Sequence, residues 1–211
     1  MSLLHYCLKQ VENGLNCRFL LKVSDNEAYE IRLPIGINRR GASFELNGEE
    51  KYRFAVDFSV FRRVRAEEIG SHKSVLLAVK DEKGETVGDI YSCCSKVWFG
   101  YEFYVAHFFD REYTAYEIGL GKDGIRIPVY CESVQIAEIH KSPVIINNKD
   151  VYDLYLRSYS DLTIVMMMAI YYDLMNFGNN STISHGREVV YITTKNKELL
   201  SKFNPDFISG S

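Results

Sequence analysis

The sequence predicts a mainly β fold (α+β by strict class), a closed antiparallel β-barrel surrounding a central hydrophobic C-terminal helix. Three observations predict it. Short β-type runs separated by turn formers recur about every 8 to 12 residues between about 74 and 150, the spacing of antiparallel barrels and sandwiches. No strand–helix–strand alternation interrupts them, which argues against a doubly wound parallel sheet. One segment, 161–177, is apolar on nearly every side.

The N-terminal runs 5–10, 18–23 and 29–33 are broken by Asn13-Gly14 and by Ser24-Asp25-Asn26-Glu27. Gly and Asn tolerate positive φ, and Asp and Ser bond their own backbone, so both breaks read as turns. Residues 34–48 read as a loop or a short irregular helix. From Tyr52 apolar residues alternate through Phe54, Val56, Phe58 and Val60, as along one face of a strand. Residues 74–80 form the next strand, and Asp81-Glu82-Lys83-Gly84 turns it into 86–91. Runs 99–107, 113–118, 125–131, 134–140 and 144–146 follow. After the turn at Asn147-Asn148-Lys149-Asp150 comes the last strand before the helix, 152–157.

Ser160 or Asp161 is placed to cap that helix, because a side-chain oxygen there accepts from free backbone N–H groups. Gly178 suits the left-handed position past its end. Between the caps Asp173 is the only charge. A helix that is apolar all round lies in a protein core or in a membrane. Its uninterrupted apolar run of about eleven residues is too short for a hydrocarbon core of about 30 Å, so the strands must enclose it. Asp173 is expected to reach solvent at the helix end or to bond a tyrosine or backbone N–H of the barrel rim; as a functional alternative it would ligate a cation in the barrel mouth. Beyond the helix, 188–193 reads as a strand or extended arm. Residues 195–203, with Ile208 beyond, read as a short amphipathic helix that docks on a partner or, as terminal helices more often do, on the barrel's own end. One domain is expected over 1–211, with barrel strands over about 3–158, the helix over about 161–177 and a C-terminal extension over 179–211.

A composition of 46% hydrophobic and 25% charged residues supports a core that needs no disulfide or metal staple. The net charge of −3 lacks the basic field that broad nucleic-acid binding requires. Cys7, Cys17, Cys93, Cys94 and Cys131 contain no CxxC pair. They read as small hydrophobes of a reducing compartment, not as zinc ligands. The N-terminus lacks the pattern of a signal peptide, and no run of 18 apolar residues offers a membrane span. The expectation is a cytoplasmic protein, at most peripheral at the inner membrane surface.

Gly119-Leu120-Gly121-Lys122-Asp123-Gly124 matches GxGxxG, but a dinucleotide site needs a helix after the loop. The strand-like Ile125–Cys131 follows instead, so the glycines serve a hairpin turn and no cofactor is implied. His107 near Asp110 and His140 near Lys141 lack any converging nucleophile and read as structural. Arg62, Arg63 and Arg65, with Arg39 and Arg40 upstream, form the densest basic region. In a strand Arg63 and Arg65 share a face, and guanidiniums on one face clamp a phosphate by paired hydrogen bonds. Glu67 and Glu68 follow at once, which fits an ordinary solvated face equally.

Several patterns in a fixed order carry a family likeness. The strand Gly88-Asp89-Ile90 leads into 101–109. The hairpin 113–119, Tyr-Thr-Ala-Tyr-Glu-Ile-Gly, continues into 125–130, Ile-Arg-Ile-Pro-Val-Tyr. Then come 134–141, Val-Gln-Ile-Ala-Glu-Ile-His-Lys, 148–152, Asn-Lys-Asp-Val-Tyr, and the helix with Ile170-Tyr171-Tyr172-Asp173. Over roughly 74–177, about half the chain, this resembles the tubby C-terminal-domain-like superfamily, which includes phospholipid scramblases and LURP-one-related proteins. The resemblance implies a closed twelve-stranded barrel around a hydrophobic helix. It also implies a link to membrane lipids, since tubby-type domains bind phosphoinositides through basic residues. The scramblases' proline-rich N-terminus, acylated cysteine cluster and C-terminal span have no counterpart here, so scrambling is not carried over. Some thirty residues also follow the helix, where the tubby pattern largely ends with it. The expected function is a non-catalytic binding or regulatory module at anionic phospholipid headgroups. The alternative is a structural or protein-interaction domain without a lipid ligand, pairing through a strand edge or the last thirty residues. An enzyme is the third reading.

Overall fold

The computed structural model describes residues 2–14, 17–33, 41–56, 76–94, 102–176, 187–188 and 197–209. Its first strands are β1 (Leu4–Glu12), β2 (Arg18–Lys22), β3 (Ala28–Arg32), β4 (Ala42–Leu46), β5 (Glu49–Ala55), β6 (Leu76–Asp81), β7 (Thr86–Cys94), β8 (Glu102–Phe108) and β9 (Arg111–Ala115). They are followed by β10 (Ile118–Gly119), β11 (Ile125–Cys131), β12 (Val134–Lys141), β13 (Val144–Ile145) and β14 (Val151–Leu156). The helix α1 spans Leu162–Asn176, β15 is Arg187–Glu188 and the short helix α2 is Lys197–Lys202.

Hairpin pairings carry the sheet from β1 to β9. Two further pairings close it: β1 with β14, far apart in sequence, and β9 with β11, which lie close in the chain. The β11–β12 hairpin joins β14 to complete the circle. The result is a closed antiparallel barrel of twelve strands, with β10 continuing the line of β9 beside β11. The small pair β13–β15 lies outside it. Period-two alternation decides which side chains face in. In β14, Tyr152, Leu154 and Leu156 are buried, while Val151, Asp153 and Tyr155 are only half-buried.

The inward faces meet α1. Met166, Met167 and Met168 are all buried. Successive residues step about 100° around a helix, so three buried in a row leave no side facing water. Burying each such side chain contributes about 1.5–3 kcal/mol. Polar ties fix the helix's rotation. The Tyr152 hydroxyl donates to Asp173 Oδ1 at 2.6 Å, Tyr172 donates to Glu117 Oε2 at 2.6 Å, and Asn176 Nδ2 donates to the Tyr104 hydroxyl at 3.0 Å.

The two rims differ. At the near rim, where α1 begins, tight turns join β2 to β3, β4 to β5, β6 to β7, β8 to β9 and β11 to β12. The β4–β5 turn is Asn47-Gly48, with φ of 52° and 85°, the geometry a two-residue hairpin demands. At the far rim, where α1 ends, longer segments join β3 to β4, β5 to β6, β7 to β8 and β12 to β14.

Three expectations need correction. Residues 34–48 are not all loop: β4 lies within them. The cap before the helix is Ser158, whose side chain accepts from Ser160 N and opens a 3-10 turn, Tyr159–Asp161, that runs into α1. The C-terminal helix packs on the barrel's outer wall, not across its end. Gly178 lies outside the described residues.

Polar groups inside the far rim are tied together. Lys141, 1% exposed, pairs with Asp150 and lies 5.5 Å from the Tyr152 ring centroid. Gln10 Oε1 accepts from Asp150 N at 2.9 Å, and Gln10 Nε2 donates to Cys17 Sγ at 3.1 Å. Burial pushes the Cys17 thiol up to about 12, which leaves it inert. Asp173, 1% exposed, does not reach solvent; of the two expected structural arrangements it takes the tyrosine bond, and its Oδ2 has no partner. Burial first, then the neighbouring Asp150, raises its carboxyl to about 7, against the Tyr152 hydrogen bond and Lys141.

The unfolded chain releases the Asp173 proton near its ordinary pKa of about 4. Between about pH 4 and 7 the folded state keeps a proton that the unfolded state has lost, so stability falls as pH rises through this window and levels off above it. Asp173→Asn is expected to flatten that slope and to gain about 1–3 kcal/mol at neutral pH in urea titrations. An unchanged pH profile refutes the assignment. In the wall, a Cβ on Gly88 would lie 2.2 Å from His107 O on β8. Gly88→Val is expected to cost more than about 2 kcal/mol, read as a lowered urea midpoint.

Candidate functional site: a basic row on the outer wall

Register builds the site. Arg18 on β2 pairs with Arg32 on β3, Arg32 with Ser43 on β4, Ser43 with Arg53 on β5, and Arg53 with Lys80 on β6. Neighbouring residues Phe19, Ile31, Phe44, Phe54 and Val79 are buried in the barrel, so alternation turns this row outward. Four cations from four strands thus share one line across the wall. The next row toward the near rim is acidic, with Glu30 opposite Glu45 and Glu45 opposite Glu50.

The two rows meet in ion pairs. Arg18 contacts Glu12 at 2.6 Å and Glu30 at 3.3 Å, and Arg32 contacts Glu30 at 2.8 Å and Glu45 at 3.3 Å. Glu30 therefore bridges the facing guanidiniums of Arg18 and Arg32. Arg53 differs: it is exposed and makes no ion pair among the described residues. Lys80 stands directly opposite it and donates to Thr86 Oγ1 at 3.3 Å. Opposed residues on neighbouring strands have Cβ atoms about 5 Å apart, so the two cations stand side by side on the wall.

Arg39, Arg40, Arg62, Arg63 and Arg65 lie outside the described residues. Their segments, 34–40 and 57–75, are joined to strand ends that the structure does describe. Leu33, Gly41, Val56 and Leu76 all sit at the far rim, within one to four residues of the basic row. Sequence reading missed Arg18, Arg32, Arg53 and Lys80. Each stands singly among other residues, and only the strand register assembles them.

The histidines and cysteines singled out in the sequence, where described, sit in structural surroundings. His107 lies beside Asp89 at 2.8 Å and Glu112 at 3.4 Å, not Asp110, and its hydrogen bond to buried Asp89 chiefly raises its pKa. His140 bonds Glu138 at 2.6 Å. Cys17, Cys93 and Cys131 are buried and Cys7 is half-buried. The GxGxxG stretch is a hairpin turn, with Leu120 N donating to Gly124 O at 2.9 Å and Gly121 and Gly124 at positive φ. Among the described residues no three His, Cys, Asp or Glu side chains gather as a metal site, and no helix is long and apolar enough to cross a membrane.

No protein-family model, curated protein or solved structure matches the chain.

Exposed charges contribute little to folding, typically under about 1 kcal/mol each. Arg53→Glu and Lys80→Glu, singly or together, are therefore expected to keep the far-UV spectrum and to shift Tm by no more than about 5 °C. A larger fall would give the row a structural role.

Proposed function

We propose that this chain is a non-catalytic binding module that associates peripherally with anionic phospholipid headgroups through the basic row and the adjoining far rim. The observation that carries the reading is exposed Arg53, which makes no ion pair among the described residues, standing opposite Lys80 on the outer wall. The charge distribution along the barrel axis supports it. Near-rim turns carry Asp25, Glu27, Glu82, Glu85, Asp110 and Glu132. The segments attached at the far rim carry the five candidate arginines, and the β7–β8 segment adds Lys96 and Trp98. An anionic surface attracts one end of such a barrel and repels the other, so it orients the molecule before contact. Each basic residue near such a surface contributes about 1 kcal/mol, and the attraction fades beyond a Debye length of about 8–10 Å. Filling of the barrel centre by α1 supports a non-catalytic role, because it takes the space an interior substrate pocket would use. We also propose distant membership of the tubby-like superfamily. Twelve strands closed around a hydrophobic helix are what that likeness implies.

Vesicle co-sedimentation tests the reading. Binding is expected to vesicles containing phosphatidylserine or phosphoinositides and not to neutral phosphatidylcholine. It is expected to fall at least about tenfold from 50 to 500 mM salt and on Arg53→Glu/Lys80→Glu, with Arg63→Glu adding to the loss. Absence of binding to every anionic vesicle removes the lipid reading and favours a protein-interaction domain.

A further inference from the structure

Inside the far rim, two carboxyl groups share one ammonium. Lys141 on β12 pairs with Asp150, just before β14. Asp173 in α1 is held apart from that pair by the Tyr152 side chain. The ring centroid of Tyr152 lies 5.5 Å from Lys141 Nζ, and its hydroxyl donates to Asp173 Oδ1 at 2.6 Å. Asp173 Oδ2 has no hydrogen bond. The other groups packed around this end of α1 do not balance it. Gln10 on β1 is neutral, and the Cys17 thiol before β2 keeps its proton. β8 brings Glu102 and Tyr104, the second of which accepts from Asn176, and Glu117 accepts from Tyr172. Among the described residues Lys141 is the one cation that acts on Asp173. A buried carboxylate without its own counter-charge either takes up a proton or reaches water.

Water is one turn away. Exposure rises along α1 from buried Asp173 through half-buried Leu174 and Met175 to exposed Asn176. Two bonds fasten that turn: Asn176 Nδ2 donates to the Tyr104 hydroxyl at 3.0 Å and to Tyr172 O at 3.1 Å. Upstream, Met166 to Tyr172 are all buried. Freeing the last turn therefore bares little apolar surface, whereas freeing the whole helix bares all of it.

We propose that the last turn of α1 is a proton-controlled latch on the far rim. Neutral Asp173 keeps the turn docked, and loss of its proton releases the turn into water while the barrel wall stays closed. The latch works whether or not the barrel binds lipid. In the open form the carboxyl has its ordinary value of about 4, and in the closed barrel burial first, then Asp150, raises it to about 7. Between these values each opening releases one proton. The opening constant therefore rises about tenfold per pH unit across that range and levels off above it.

Native-state hydrogen exchange on the full chain, from about pH 4.5 to 8.5, tests the latch. After correction for intrinsic exchange, protection of the Leu174, Met175 and Asn176 amides is expected to fall about tenfold per pH unit and to level off above about pH 7. It is expected to be insensitive to low urea, the mark of a local opening, while Met167 and Leu154 exchange through urea-sensitive global unfolding. Asp173→Asn is expected to abolish the pH dependence in the last turn. Tyr152→Phe removes a hydrogen bond that lowers the carboxyl's pKa, and is expected to move the plateau to higher pH. A carboxyl-detected titration of Asp173 in the unaltered protein needs no variant, and a midpoint near 4 overturns the proposal. So does protection that ignores pH, a slope that survives Asp173→Asn, or a urea dependence in the last turn equal to that of Met167.

Discussion

Everything in this structure follows from the need to enclose α1 completely. A helix with buried methionines at three successive positions has no face it can turn to solvent. A flat sheet covers one side of a helix, and a sandwich covers two. Only a closed wall covers all of it, and closure also removes the unpaired edges that an open sheet would expose. Inward positions hold Ala42, Ala106, Ala115 and Ala137 alongside larger residues, a mixture that lets the wall follow an uneven helix surface. The few polar groups inside are bonded largely to one another; Asp173 Oδ2 is among those without a hydrogen bond, and burial raises that carboxyl's pKa to about 7.

Because α1 fills the interior, the surface left open to a partner is the outer one. There the register does what motifs do in an enzyme: it brings Arg18, Arg32, Arg53 and Lys80 into one line. Glu12, Glu30 and Glu45 neutralise one half of that line and leave Arg53 in the other. The wall at β11 carries a second outward feature: Tyr116 and Tyr130 donate to carbonyls of the short helix α2, Arg126 donates to Pro205 O just past it, and Arg157 lies over the Phe207 ring.

Much of this architecture was legible in the sequence, and the reasons are physical. The span of α1 follows from its apolar run, and the strands from 125 to 131 and 134 to 141 from their β-branched residues between turn formers. β4 was not legible as a strand: Ala-Ser-Phe-Glu-Leu alternates only weakly, although Asn47-Gly48 after it marks a hairpin. Ser158 was passed over as a cap because Ser160 and Asp161 stand nearer the apolar run. The basic row could not be read, since facing residues on neighbouring strands are far apart in sequence and meet only once register is known. The arginines that sequence density favours belong to segments outside the described residues, joined to strand ends at the rim nearest the basic row.

The β1–β14 seam has a consequence for how the molecule is made. Every other wall contact is between neighbours in the chain, but β1 must wait for β14, whose residues are synthesised about 140 positions later. Until then the first strand has an open edge, and α1 has not yet been made. The last strand, the seam and the helix therefore arrive almost together, and ring closure must be coupled to capture of the helix. A pairing over so long a stretch of chain slows folding, because its loop-closure entropy is spent before its contacts form. A half-made chain is a curled sheet with its oily face uncovered, which makes this stage of biosynthesis the one most dependent on protection from aggregation.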